Sequence, residues 1–373
     1  MIEIYGNYGC AHVFAENVDQ ETYRQVRTLM DSPLAEGSTV RVMPDCHAGA
    51  GCVIGLTMTL TDVVCPNLVG VDIGCGMLAT KLAGIDSLDT HDFERLDDVI
   101  ARYIPSGFAI NSVAHIPSKN FPDLGKLRCK DAVDLKRALL SVGTLGGGNH
   151  FIEIAQSREK GDYWLIIHSG SRKLGLEIAA HYQTKARESC EGTGIHRDLA
   201  FLTDGDRNDY LHDMELAQSY AWWNRYTMSG IICDAMDWGV ENQFTTTHNY
   251  IDLDQNILRK GAVSALRGQP LLIPMNMRDG SLLCLGKGNE EWNKSAPHGA
   301  GRIMSRSQAK KVLDIHEYSE QMQGVYTTCV SHGTIDESPM AYKDSTLIEM
   351  LIEPTVEVQE HLVPVYNFKA GGE

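Results

Sequence analysis

Glycine crowds against His, Asp, Cys and Asn in five blocks of this chain: MPDCHAGAGCVIG (43–55), GVDIGCG (70–76), GTLGGGNHFIE (143–153), HSGSR (168–172) and APHGAGR (296–302). Glycine admits positive φ and lets backbone come close to whatever it faces. A glycine loop can therefore bring its amides, and the polar side chain it carries, up to an ion or a phosphate. Five such loops exceed what ordinary turns require, and they suit a fold in which loops converge on a metal or a phosphate-bearing ligand.

The elements between these loops are mixed. Helical spacing runs over residues 20–30, 92–103, 130–142, 177–189 and 209–233. In the last of these Tyr210, Met214, Ala217 and Ala221 keep one face, and further aromatics widen the stripe as in a buried helix. Short β-like runs at 40–43, 52–58, 163–167, 271–274 and 282–285 lead into or out of glycine turns. Without strict βαβ alternation this predicts an α+β fold rather than a doubly wound sheet. No repeat, low-complexity tract or Pro/Ser-rich linker divides the 373 residues, of which 43% are hydrophobic. The expectation is a single compact mixed domain over 1–373, with the glycine-rich loops converging on a central site.

The start MIEIYGNYGC has neither a basic leader nor an apolar run, and no stretch approaches the roughly 18 apolar residues of a membrane span. A cytoplasmic protein with no membrane partner is expected. Ten cysteines without a CxxC pair, in a chain too large to need staples, read as reduced. A net charge of −16 excludes a surface that grips nucleic acid everywhere, but leaves room for a local basic groove or for a bound cation.

In GVDIGCG, Asp72 and Cys75 lie three apart in a turn bracketed by glycines, a spacing that can aim a carboxylate and a thiolate at one ion. By itself the motif reads more readily as a capped turn beside a buried thiol. His150 follows GGGN, His168 ends the apolar run 165–167, and His248 follows three threonines. Each sits where a strand meets a loop, better placed as a ligand than a histidine in mid-helix such as His181. The five residues could hold two ions sharing one thiolate. Their softness alone points to zinc.

MPDCHAGAGCVIG, VGVDIGCGM, GGGNHFIE, HSGSR, THN, GKGNEEWNKSAPHGAGRIMSR and the lysine of VYNFKA together resemble the RtcB family of RNA-splicing ligases, collinearly over nearly the whole chain. Gly74 within GVDIGCG and the short length look like the bacterial branch of the family. The resemblance implies a GTP-dependent ligase that joins RNA 2′,3′-cyclic-phosphate or 3′-phosphate ends to 5′-hydroxyl ends, in RNA repair or tRNA splicing. It implies a guanylyl-histidine and an RNA-3′-pp-5′-G intermediate, with two Mn2+ ions and GTP as cofactors. Carried onto this sequence, it makes Cys75 the ligand bridging two manganese ions, with Asp72 and His150 on one ion and His168 and His248 on the other. His298 becomes the guanylylated histidine. Asn149, Glu153, Ala300, Gly301, Lys369 and Tyr342 match nucleotide-pocket positions. The loop PMNMRDGS (274–281) departs from the family's usual form, so Asn276, Arg278 and Ser281 are nucleotide contacts whose detail differs.

The residues fit that chemistry. Pro297 and Gly299 flank His298, restricting the backbone before it and opening it after, as an in-line nucleophile requires. Arg302 and Lys287 are candidate phosphate clamps, or equally solvated surface cations. Asp45 and His47 are acid/base candidates, or else a polar network that buttresses the ligands. There is no GxxxxGK[ST], and GKGN (286–289) has the wrong spacing for a phosphate loop. Two other readings use the same residues: a metal-dependent phosphodiesterase acting on cyclic-phosphate RNA ends, and a non-catalytic RNA-end binding paralogue. No activating protein partner is visible in the sequence.

Overall fold

A computed structural model describes residues 1–370. Seven strands form the central sheet in the spatial order Pro270–Asn276, Gly280–Gly286, Val356–Lys369, Phe151–Ser157, Tyr163–Ser169, Gly76–Ala83, Gly239–Thr247. All its pairings are antiparallel. A six-stranded sheet lies beside it in the order Ile2–Gly6, Gly9–Val13, Val40–His47, Ile54–Thr59, Ile257–Lys260, Asn249–Asp252, with one parallel pair between Gly9–Val13 and Val40–His47. Helices combined with mostly antiparallel sheets make the expected mixed α and β architecture.

Alternation along the central strands divides their two faces. Ile152, Ile154, Leu165 and Ile167 point to one side, where they pack with Met228, Ile232 and Met236 of the helix Asp204–Met236. Each such buried side chain stabilises the fold by roughly 1.5–3 kcal/mol. Their sequence neighbours Phe151, Glu153 and His168 point the other way and line a cleft. Register then sets a row across four strands: Lys369 pairs with Phe151, Phe151 with His168, and His168 with Met77. All four side chains reach the cleft, because directly opposed residues in an antiparallel pair share a face.

The helix expected at 20–30 forms over Gln20–Met30, with the Asp19 carboxylate accepting the Thr22 N–H at 2.9 Å as its N-cap. The helix expected at 130–142 is mostly absent: a 3₁₀ turn at Lys130–Ala132 precedes a short helix at Leu135–Leu140. Asp134 interrupts it by capping the Arg137 N–H at 2.9 Å, which starts a new helix in place of continuing the old turn. The helix expected at 209–233 extends to Asp204–Met236, and the one at 177–189 to Arg172–Ser189. Among the described residues no helix is long and apolar enough to cross a membrane.

Candidate active site and metal centre

The four glycine blocks at 70–76, 143–153, 168–172 and 296–302, with the end of Val40–His47, meet at the ends of the inner strands of the central sheet. There the predicted ligand atoms form a continuous chain. Asp72 Oδ2 lies 3.0 Å from His150 Nε2, which lies 3.5 Å from Cys75 Sγ. Cys75 Sγ is 3.2 Å from His168 Nε2, which is 3.4 Å from His248 Nε2. The side chains of Cys75, His150, His168 and His248 are buried, and that of Asp72 is 28% exposed. All five sequence-predicted ligands are thus brought together.

The imidazoles are aimed from behind. His150 Nδ1 donates to the Leu145 carbonyl at 2.9 Å and His168 Nδ1 to the Asn149 carbonyl at 3.0 Å. With the proton committed to Nδ1, each ring turns an unprotonated Nε2 toward Cys75, as metal-bound histidines held by a backbone carbonyl do. Burial first, then the neighbouring histidines, holds His168 and His248 well below the usual histidine range. Both are therefore neutral, as ligands must be. Burial and the Asp72 charge push the Cys75 thiol well above its ordinary value. Acceptor atoms facing one another with a single buried thiol as the donor among them are the chemistry a divalent cation would satisfy. Cys75, His150 and His168 place their ligand atoms within 4.8 Å of one another, so the residues fit such an ion.

Tight packing fixes the carboxylate. Ser171 donates its N–H to Asp72 Oδ1 at 3.2 Å, and a Cβ at Gly170 would overlap the Asp72 carboxylate. Only glycine leaves that space.

His298 stands beside this cluster, its ring centroid 5.0 Å from that of His248. Its Nδ1 meets Asp45 Oδ2 at 2.7 Å, and the same oxygen takes the His298 backbone N–H at 3.2 Å. Asp45 is fully buried while His298 is 20% exposed. The contact leaves Nε2 as the free nitrogen of His298. Gly301, at φ +75°, passes so close to Asp45 that a Cβ would overlap the Asp45 carbonyl. Lys343 Nζ ties the strand down through the Pro44 and Cys46 carbonyls at 3.0 and 2.8 Å. His47 lines the cleft, with its Nδ1 3.1 Å from the Asp45 carbonyl. Burial pulls His47 down to about 4.

The cleft itself, about 210 Å³, is lined by Asn149, Glu153, Ser281, Ala300, Gly301, Arg302, Tyr342 and Lys369, together with Asn276. Two carboxylates on its floor are driven in opposite directions. Burial pushes Glu153 up to about 8 despite the Asn367 amide at 2.9 Å. Glu337 is as deeply buried, but the Lys369, Arg306 and Arg302 cations outweigh that burial and hold it at about 2. Glu337 takes Lys369 Nζ at 2.7 Å, the Tyr342 hydroxyl at 2.7 Å, Arg302 Nη1 at 3.3 Å and the Arg306 guanidinium. Glu153 Oε1, Asn367 Oδ1 and Ser281 Oγ are buried without a hydrogen-bond partner in the protein. Such orphans are rare in folded proteins and mark where a polar ligand would supply the missing bonds.

Two expected phosphate or nucleotide contacts fall elsewhere. Lys287 Nζ is engaged by Glu353 Oε1 at 2.6 Å, and Arg278 Nε by Asp279 at 2.7 Å. Neither lines the cleft. Sequence reasoning also missed four residues that shape the site. Glu337 and Asn367 form its floor, and Asn224 and Arg225 stand behind it on the long helix. Arg225 is 1% exposed and donates Nη1 to the Gly74 and Ser169 carbonyls, each at 2.8 Å. Asn224 accepts the Gly143 and Thr144 amides at 2.8 and 3.1 Å and donates to the Gly170 carbonyl at 3.2 Å. One helical turn thereby staples three glycine loops together. The available signal was a polar pair interrupting the apolar face of a helix read as buried.

A family model described as tRNA-splicing ligase RtcB matches residues 25–134 and 124–370. The RNA-splicing ligase RtcB of Escherichia coli (strain K12) is 32% identical over 365 residues, covering 86% of this chain and 87% of the relative. The tRNA-splicing ligases RtcB of Methanococcus maripaludis and Aeropyrum pernix are 27% and 26% identical, each over 431 residues, covering 92% and 90% of this chain and 90% and 89% of the relatives.

Proposed function

The chain belongs to the RtcB family of tRNA-splicing ligases, and from that premise we propose that it is an RNA ligase that uses His298 as its nucleophile. The substrates are RNA ends bearing a 3′-phosphate or 2′,3′-cyclic phosphate and a 5′-hydroxyl, and GTP supplies the energy of joining. The observation that carries this reading is the His298–Asp45 pair. Asp45 accepts the Nδ1 proton at 2.7 Å, which fixes the tautomer and turns the Nε2 lone pair outward beside the ligand cluster.

In the first step Nε2 attacks the α-phosphorus of GTP, forming a P–N bond as the bond to pyrophosphate breaks. An oxygen of the RNA 3′-phosphate then attacks that phosphorus and releases His298, leaving an RNA-3′-pp-5′-G end. Finally the 5′-hydroxyl oxygen attacks the RNA 3′-phosphorus, GMP departs, and the strand is sealed. A cyclic phosphate end is hydrolysed to the 3′-phosphate beforehand. Throughout, Asp45 stabilises the positive charge that appears on the ring and holds its angle. His47, neutral at physiological pH, is the group placed to take a proton.

Asp72, Cys75, His150, His168 and His248 would hold the divalent metal, two manganese ions in this reading, which would neutralise phosphate charge as the leaving groups depart. Lys369 has only donors to offer and meets a ring carbonyl, while Glu153, giving up its proton on binding, accepts the ring N–H and the exocyclic amino group. That combination suits guanine. Tyr342 and Phe151 border the base, and Arg302 faces the phosphates.

Incubating the protein with such RNA ends, GTP and Mn2+ should yield joined RNA, and the His298→Ala variant should yield none. Opening of the cyclic end with no joining by the wild type would identify a phosphodiesterase instead.

A further inference from the structure

The segment from Ser106 to Gly146 leaves and rejoins the fold at the loop that carries His150. Ser106 bridges to Gly146, and the Gly107 N–H donates to the Gly146 carbonyl at 3.0 Å. Leu145, whose carbonyl orients His150, donates its own N–H to the Pro105 carbonyl at 2.9 Å. Just beyond this root Phe108 stands 73% exposed, followed by Val113 at 71% and Ile116 at 63%. Large apolar side chains gathered on one exposed stretch mark a surface that meets something.

Charge says what. Residues 115–137 carry six Lys or Arg against three Asp, on a chain of net charge −16. Two of those carboxylates are committed to backbone amides, Asp123 to Gly125 and Asp134 to Arg137. Lys126 and Lys130 are exposed and make no ion pair among the described residues. Arg128 reaches Asp209 only at 3.8 Å, between side chains 60% and 46% exposed, a contact worth little in water. With His212, whose Nε2 donates to the Lys126 carbonyl at 3.2 Å, these three cations line a concavity of about 420 Å³. Cations left largely unpaired on an acidic protein, on a segment that also exposes an aromatic side chain and is rooted at the His150 loop, form an arrangement suited to single-stranded nucleic acid.

We propose that this segment is the track along which the RNA strand reaches the active site, with Phe108 stacking on a base and Lys126, Arg128 and Lys130 holding backbone phosphates. The proposal rests on the RNA-joining reading above, and the two fail differently. Lys126, Arg128 and Lys130 lie outside the catalytic machinery, so transfer of guanylate to His298 is independent of them.

The test compares full-length wild type with the Lys126→Glu/Arg128→Glu/Lys130→Glu triple variant and with Phe108→Ala. Binding of a fluorescent single-stranded RNA ending in a 3′-phosphate is titrated over a range of salt, beside labelling by GTP carrying label in its α-phosphate. The triple variant should bind RNA at least about tenfold more weakly, with the slope of log K against log salt reduced by about 2, while taking guanylate as the wild type does. Phe108→Ala should weaken binding about five- to tenfold with the slope unchanged, as loss of stacking predicts. Wild-type affinity and slope in the triple variant, with labelling intact, would overturn the track. A wild type that takes no label and joins no RNA would overturn the ligase reading, and the track with it.

Discussion

The two halves of the site solve opposite electrostatic problems. Around Cys75 the side chains turn acceptors toward one another, and their donors are spent outward on the Leu145 and Asn149 carbonyls. Around Glu337 donors and acceptors already meet, since one buried carboxylate takes Lys369, Tyr342, Arg302 and Arg306. The first half is incomplete without a cation. The second is complete in charge and lacks only hydrogen bonds, at Glu153, Asn367 and Ser281. One half therefore fits an ion, and the other leaves polar groups open to a hydrogen-bonding ligand. His298 stands between them.

The sharpest way to break this contrast is to remove the thiolate. Cys75→Ala takes away the atom central to the ligand chain, and RNA joining should fall by more than about 100-fold, with the bound Mn2+ measured by metal analysis falling alongside. Unchanged joining would show that the cluster is only a packed core.

Glu153→Gln sharpens the other half. The unfolded carboxyl loses its proton near 4.5 and the folded one keeps it to about 8. The folded state binds the extra proton between those values, so stability from this group is full below 4.5 and is lost as pH rises toward 8. Urea unfolding should show wild type losing on the order of a few kcal/mol relative to the Gln variant across that window. Parallel pH profiles for the two proteins would mean that the cleft floor is wetter than its burial indicates.

Arg225→Met tests the support behind the metal half. It strands the Gly74 and Ser169 carbonyls and should cost about 2–3 kcal/mol in urea unfolding, with activity falling in step with metal affinity. Asp45→Asn should have a smaller effect, slowing guanylate transfer about tenfold to a hundredfold while leaving metal content unchanged. Loss of metal in that variant would erase the boundary between the two regions.

How far the sequence foretold these halves follows the same division. The metal half was legible because four of its five ligands sit in short glycine-rich motifs and His248 stands at the end of a β-like threonine run, so local chemistry announces them. The cleft was legible only through the family resemblance, since Glu153, Ser281 and Lys369 carry no local signal. Glu337 and Asn367 escaped altogether, because their meaning comes from register: Asn367 pairs with Glu153 across strands more than two hundred residues apart in sequence. Elements with one clear face, such as Gln20–Met30, were placed to the residue. Strands such as Val356–Lys369 and Phe151–Ser157 were not foreseen, because Glu153, Glu360 and Asn367 put buried polar side chains into their alternation. Asp134 broke the helix expected at 130–142 by capping in mid-pattern.

The central claim is that His298 Nε2 becomes a nucleophile toward GTP. Wild type and His298→Ala, each incubated with Mn2+ and GTP labelled in its α-phosphate, decide it. Acid-labile label on the wild type and none on the variant is the predicted result. Label absent from both, or equal on both, would contradict it.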